Sequence, residues 1–160
     1  ALEANGHRVT RIDMGRDVAA RLAAVQPDLV FNALHGSPGE DGSVQGMLDL
    51  MGIPYTHSGL ATSVIAIDKV LTKQLLSFHR IPSPQFAVFK KGKRIQVPSR
   101  LRYPLFVKSA TDDASLGIAQ ASVCHDAASL RQRIEFVHEQ TSSDALVEEY
   151  VEGREIYVGV

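Results

Sequence analysis

The chain has 160 residues, 44% of them hydrophobic, and a formal net charge of −1. That composition builds a hydrophobic core and excludes a disordered chain, while the near-neutral charge excludes a global basic field for nucleic acid. No apolar run reaches membrane-spanning length, no signal-peptide pattern opens the chain, and the single Cys124 has no internal disulfide partner. A cytoplasmic protein with neither nucleic acid nor membrane as partner is expected.

Residues 1–6 read as the last turn of a helix with Gly6 as its stop. The final strand pattern has nothing after it. The sequence is therefore expected to be a piece of a longer protein. Residues 7–13 alternate polar and apolar and predict a strand. Val18, Leu22 and Val25 have helical spacing over 17–25, with Asp17 at the N-terminal end, and Pro27-Asp28 breaks that helix. Residues 29–34 predict a buried strand. Ser43 is the expected N-cap of a helix that puts Val44, Met47, Leu48 and Met51 on one face and stops at Gly52. A short strand is predicted over 53–56. Strands alternating with helices predict an α/β unit with a parallel sheet over residues 1–60.

From residue 61 the pattern changes. Helices are predicted over 61–67 and 68–79, with Leu71, Leu75 and Phe78 as one apolar stripe and Lys69 and Lys73 sharing a face. Pro82 and Pro84 end them. Strands over 85–89 and 105–108 flank a basic loop at 90–100. An acidic, small-residue loop at 109–117 leads to a strand over 118–124, in which Cys124 reads as a packed hydrophobe. Asp126 caps a helix with Ala127, Leu130, Ile134 and Val137 inward. Strands over 145–151 and 155–160 follow, joined by Glu152-Gly153-Arg154. An α+β unit with antiparallel pairing is expected, divided as 61–143 and 144–160.

Three segments carry candidate chemistry. The first is His35-Gly36-Ser37-Pro38-Gly39-Glu40-Asp41-Gly42, which follows a predicted parallel strand, the sheet edge at which ligands bind. Its glycines and the helix N-terminus behind it suit a carboxylate or phosphate, with His35 as a donor. A tight turn whose Glu40 and Asp41 complement the helix dipole fits the spacing as well. The second is Lys108, delivered by the apolar run Pro104-Leu105-Phe106-Val107 to the end of its strand and suited to phosphate. The loop after it does not match the P-loop pattern, and by spacing alone a solvated lysine beside a hairpin loop is the plainer reading. The third is Val147-Glu148-Glu149-Tyr150-Val151, where Glu148, Tyr150 and Glu152 share one strand face and Glu149 and Val151 the other. Such an edge can bind adenine and ribose; by spacing alone an acidic hairpin fits better. His57, His79, His125 and His138 show no evident partners, and no Cys/His cluster has zinc spacing.

In order along the chain, Phe31-Asn32-Ala33-Leu34-His35-Gly36, Gly39-Glu40-Asp41-Gly42, Gln45-Gly46, Gly52-Ile53-Pro54-Tyr55-Thr56, Ser58-Gly59, Asp68-Lys69, Lys73, Val107-Lys108, Leu116-Gly117, Val147-Glu148 and Gly153-Arg154-Glu155 closely resemble the D-alanine–D-alanine ligase family of the ATP-grasp superfamily. The resemblance implies a Rossmann-like N-terminal domain followed by an α+β ATP-grasp subdomain. It implies an ATP-dependent ligase that joins two D-alanines through an acyl phosphate for peptidoglycan synthesis, homodimeric when full length. By the same resemblance, His35 and Gly36 lie beside the first D-alanine and the acyl phosphate. Lys69, Lys108 and Ser115 hold ATP phosphates, and Glu148, Glu149, Val151 and Glu155 hold adenine and ribose. Magnesium ligands, and the arginine of the transition state, are expected beyond Val160, and the glutamate for the first substrate's amine before Ala1. These 160 residues alone are thus expected to be inactive. The phosphate-covering loop departs from the family pattern, with Ala114 where the family has a serine and Asp113 where it has a glycine. That keeps open a ligase-like relative with another amino-acid or carboxylate substrate, or a non-catalytic ATP-binding relative.

Overall fold

The structure, a computed structural model, describes residues 1–111, 120–141 and 143–156. Its first part comprises α1 (Val18–Val25), β1 (Val30–Phe31), α2 (Ser43–Met51) and β2 (Tyr55–Thr56). β1 and β2 pair in parallel, Val30 opposite Tyr55 and Phe31 opposite Thr56, with α2 as the crossover between them. The predicted apolar face of α2 is the one that packs: Val44 and Leu48 are buried with Leu22 of α1, and Met47, Met51, Ile53 and Val30 close around them. Gly52 ends α2 at φ 66°, a conformation that costs glycine little.

Three local expectations give way here. Residues 7–13 form no strand; Ile12 and Met14 pack on the Leu22–Leu48 cluster, but their backbone joins no ladder. The strand expected over 29–34 ends at Phe31 because Asn32 competes with the ladder. Its Oδ1 accepts from the Leu34 N–H at 3.1 Å and its Nδ2 donates to the Gly39 carbonyl at 2.9 Å. Nor is that strand buried, since Leu29 and Phe31 are 55% and 62% exposed. Ser43 is the first helical residue of α2 and not its cap: Gly42 holds the N-cap position, and Asp41 Oδ1 accepts from the Ser43 N–H at 2.9 Å.

The second part runs α3 (Leu60–Ile67), α4 (Lys69–Phe78), β3 (Phe86–Phe89), β4 (Leu105–Ser109), β5 (Val123–Cys124), α5 (Ala127–Gln140) and β6 (Ala145–Glu149). Its strands form one antiparallel sheet in the order β3-β6-β4-β5, as the α+β reading requires. β6 is an interior strand, so residue 144 lies just ahead of the middle of that sheet. Successive strand residues face opposite sides. Leu105 and Val107, with Ala145 and Val147, turn to α5 and meet Leu130, Ile134 and Val137. Cys124 is fully buried in the same core.

Only the start of the apolar stripe expected on α4 packs, Leu71 being half-buried and Leu75 exposed. Phe78 is 80% exposed, and Lys73 is the residue α4 buries. A cation goes inside only with a partner, and the sheet supplies one. On α5, Ala127 is exposed, and Arg133 and His138 are buried in addition to the predicted leucine, isoleucine and valine. Each long polar side chain reaches an acceptor: Arg133 Nη2 donates to Ser122 Oγ at 3.0 Å, and His138 Nε2 lies 2.8 Å from the Phe89 carbonyl oxygen. The strand expected to reach Val151 stops at Glu149, and Glu155 and Ile156 are not in a strand. Residues 112–119, 142 and 157–160, among them Asp113, Ala114 and Ser115, lie outside the described residues. No helix among the described residues is long and apolar enough to cross a membrane.

Two aspartates at helix starts behave differently. Asp126 makes a full capping box, accepting from the Ala128 and Ser129 N–H groups at 2.9 and 2.8 Å, whereas Asp17 makes no side-chain cap bond. In urea unfolding Asp126→Ala is expected to cost about 1 kcal/mol and Asp17→Ala no more than a few tenths. Equal losses would refute the capping assignment.

Candidate active site

The loop between β1 and α2 is held by its own side chains. The Gly36 N–H donates to Glu40 Oε2 at 2.5 Å and the Glu40 N–H returns to the Gly36 carbonyl at 2.8 Å. Ser37 Oγ donates to Asp41 Oδ2 at 2.5 Å, and the Gly39 carbonyl accepts from both Asn32 Nδ2 and Gln45 Nε2. Burial pushes the Asp41 carboxyl up, but the Ser37 hydroxyl and the Ser43 amide outweigh it and hold the group below the ordinary carboxylate range. The spacing leaves open whether the free amides of α2 meet a ligand or the carboxylates of the loop itself. In the structure the Ser43 N–H is taken by Asp41 and the Val44 N–H by the Pro38 carbonyl. Gly42 has φ 92°, and a Cβ there would stand 2.7 Å from Val64 Cγ2, so only glycine lets α3 approach the loop this closely.

The sheet presents a buried triad on its other face. Glu148 on β6 is 9% exposed; its Oε2 lies 2.8 Å from Lys73 Nζ and its Oε1 lies 2.6 Å from Lys108 Nζ. The register sets this up. Phe106 faces Glu148 across the ladder, which leaves Lys108, two residues on, diagonal to it and on the same face. Lys73 comes from α4, passes over the Phe86 ring at 5.2 Å and also donates to the Pro84 carbonyl at 3.3 Å. Burial pushes the Glu148 carboxyl up; the ammoniums of Lys108 and Lys73 together overcome that and leave it below its ordinary value of 4.5.

Lys69 ties α4 to the sheet. It opens α4, whose N-cap Asp68 accepts from the Val70 and Leu71 N–H groups, and its own N–H donates to the Ala110 carbonyl at 3.0 Å. That bond sets the start of α4 beside the chain two residues beyond Lys108. A cleft here is lined by Glu40, His57, Ser58, Ser63 and Lys69. The loop after β1 and the start of α4 thus share one cavity, which the sequence reading anticipated only as an order of motifs.

The remaining candidates are spread around this centre. His35 is exposed on the loop and does not line the cleft, and Gly36 sits at φ 63° with open space where a Cβ would be. The Glu149 carboxylate accepts from the Arg102 N–H at 2.9 Å, and its own N–H donates to the Gln85 carbonyl. Val151 is 69% exposed and Glu155 is exposed. Two residues escaped the sequence reading of the site. Lys73 was assigned no role, although its spacing from Lys69 placed it on the same helical face. His57 shows no evident partner in the sequence, and nothing near it signals the buried Gln45 that holds its ring.

An ammonium carries three donors, and Lys108 spends one on Glu148, so the triad fits an anionic phosphate ligand. Among the described residues no group of three or more His, Cys, Asp or Glu side chains could hold a metal ion.

Sequence profiles described as D-ala D-ala ligase N-terminus and D-ala D-ala ligase C-terminus match residues 6–58 and 75–160. The whole chain aligns with D-alanine–D-alanine ligases of Rhizorhabdus wittichii, 48% identical, and Sphingopyxis alaskensis, 50% identical, covering 51% and 52% of their lengths. The chain therefore spans about half the length of the curated relatives it matches. The crystal structure of the Bacillus anthracis D-alanine–D-alanine ligase complexed with ATP superposes on 95% of this chain and 50% of its own, with TM-score 0.80 and 30% identity.

Replacing Glu148 by glutamine strands two ammoniums that are only 9% and 22% exposed at their side chains. Glu148→Gln is expected to cost about 3–5 kcal/mol in urea unfolding at pH 7. Because the folded carboxyl titrates below the unfolded one, its stabilisation is complete above pH 4.5 and is lost as pH falls through the lowered folded value. The acid-side slope of stability is expected to flatten in the variant, and an unchanged slope would contradict the pairing.

Proposed function

We propose, because this chain belongs to the D-alanine–D-alanine ligase family, that the complete protein carrying it joins two D-alanines at the expense of ATP. One D-alanine carboxylate attacks the γ-phosphate to give an acyl phosphate and ADP. The amine of the second D-alanine then attacks the acyl carbon and releases phosphate. The observation that carries this reading is the Lys73–Glu148–Lys108 triad, whose Lys73 lies one turn of α4 beyond Lys69 of the cleft. It is a preformed positive site of the kind that stabilises a phosphoryl group in transfer.

In this reading Glu148 holds Lys108 pointing at the phosphates, and Lys69 meets them from the start of α4. His35 and Gly36 face the first D-alanine from the loop. The chain around Glu149 and Val151 offers its backbone to adenine, Glu148 accepts from the exocyclic amine with its remaining lone pairs, Glu155 takes the ribose, and Ser115 covers the phosphates. Residues of the complete protein beyond Val160 would hold magnesium, which would neutralise charge on the phosphates. We place the enzyme in the cytoplasm, as a homodimer, supplying peptidoglycan precursors.

Phosphate release by the complete protein, with ATP and a panel of D- and L-amino acids, tests the proposal. Release is expected with D-alanine and is expected to fall about 100-fold or more in Lys108→Met, since transition-state charge stabilisation of this kind is worth that much. Release with other acceptors alone would assign a different ligase; ATP binding without release would leave a non-catalytic relative.

A further inference from the structure

We propose that His57 is a ligand-binding residue of the cleft, its imidazole locked by Gln45 as the Nε2–H tautomer and donating to an anionic oxygen, either a substrate carboxylate or a nucleotide phosphate. The inference deepens the ligase reading and rests on its ATP and amino-acid ligands.

His57 directly follows β2, at the sheet edge where ligands of parallel sheets bind. Its φ is 153°, a backbone region that side chains seldom enter. Such an outlier persists only where its surroundings hold it, and it points to a role for the side chain. Those surroundings are specific. Gln45 of α2 is fully buried, and its Nε2 lies 2.7 Å from the Gly39 carbonyl oxygen and 3.1 Å from His57 Nδ1. An amide nitrogen has two hydrogens and no acceptor capacity. One hydrogen goes to Gly39, and the second has Nδ1 before it. Turning the amide over would set Oε1 against the Gly39 carbonyl, acceptor against acceptor, so the orientation is determined.

Nδ1 must then accept, and the ring hydrogen sits on Nε2. Ser63, 2% exposed, closes the inner side: its hydroxyl donates to the Ser58 carbonyl at 3.2 Å, with Oγ 3.4 Å from Nδ1. The Ser58 carbonyl, 3.3 Å from Nδ1, is thereby served by Ser63 and does not require the ring proton. The Nδ1 edge faces the protein, which leaves Nε2–H for the cleft that His57 lines together with Glu40 and Lys69. A buried glutamine whose Oε1 finds no partner is a poor choice for stability alone. It is a good choice for fixing a donor.

The test uses the complete protein with His57→Gly, which removes the ring and suits the backbone; His57→Ala, which removes the ring and keeps a Cβ; and His57→Gln, which keeps an amide donor. Binding of D-alanine and of magnesium ATP is measured by calorimetry, alongside unliganded melting. His57→Gly is expected to melt about 2 °C higher as the strained residue is relieved. It is expected to bind one ligand about tenfold more weakly, the value of a hydrogen bond to a charged group. His57→Ala should repeat that weakening, and His57→Gln should stay within about threefold of the wild type. Weakened D-alanine binding identifies the carboxylate, weakened ATP binding the phosphate. Unchanged affinity for both in the ring-free variants, or no binding of either ligand by the wild type, overturns the proposal. Failure to ligate D-alanine while ATP still binds would sink the ligase reading alone, and the ATP affinities would still judge His57.

Discussion

A single carboxylate, buried between two ammoniums, organises the second half of this molecule. Glu148 stands on an interior strand where an unpaired charge would be intolerable, and Lys73 and Lys108 each take one of its oxygens. The arrangement explains why α4 turns a lysine toward the sheet and leaves Phe78 in solvent. It also explains the register of β4 against β6, since a one-residue slip would send Lys108 to the α5 face and into Leu130 and Ile134. Two ammoniums against one carboxylate leave the triad with an excess positive charge. Packing resolves the burial of Glu148, and the surplus cation remains as binding potential for an anion.

The first half meets a different constraint. Its loop after β1 consumes its own polar groups: Glu40 ties Gly36, Asp41 ties Ser37 and Ser43, and Asn32 and Gln45 converge on Gly39. The carboxylates that stood out in the sequence shape the loop, and recognition passes to the groups that the loop positions. Gln45 does two jobs at once, since the same amide that pins Gly39 orients His57.

How far the sequence discloses the molecule depends on the range of the interaction. The faces of α2 and α5 are legible because Val44, Leu48, Leu130, Ile134 and Val137 repeat at helical spacing. Antiparallel pairing in the second half is legible from strand order. The strand expected over 29–34 falls short because apolar composition says nothing of Asn32, whose side chain ends the ladder. The role of Lys73 is not legible because its partner lies 75 residues away on a strand, and no local pattern encodes a pair of that separation. His57 is the extreme case: its meaning comes from a glutamine on a helix, a serine on the next helix and a backbone angle. The ordered resemblance to known ligases carried Lys69, Lys108 and Glu148 into the site, whereas their spacing alone favoured solvated lysines and an acidic hairpin.

Within the second half a backbone contact ties helix to sheet. The Lys69 N–H donates to the Ala110 carbonyl, and the Ala110 N–H donates to the Asp144 carbonyl just before β6. The start of α4, the end of β4 and the start of β6 are therefore one connected unit. α3 reaches that unit from the other side, with Val64 against Gly42 and Ser63 against His57. α3 thus lies between the β1 loop and α4, the helix that carries both Lys69 and Lys73. The cations of the sheet and the polar groups of the loop are thus set by the same few contacts.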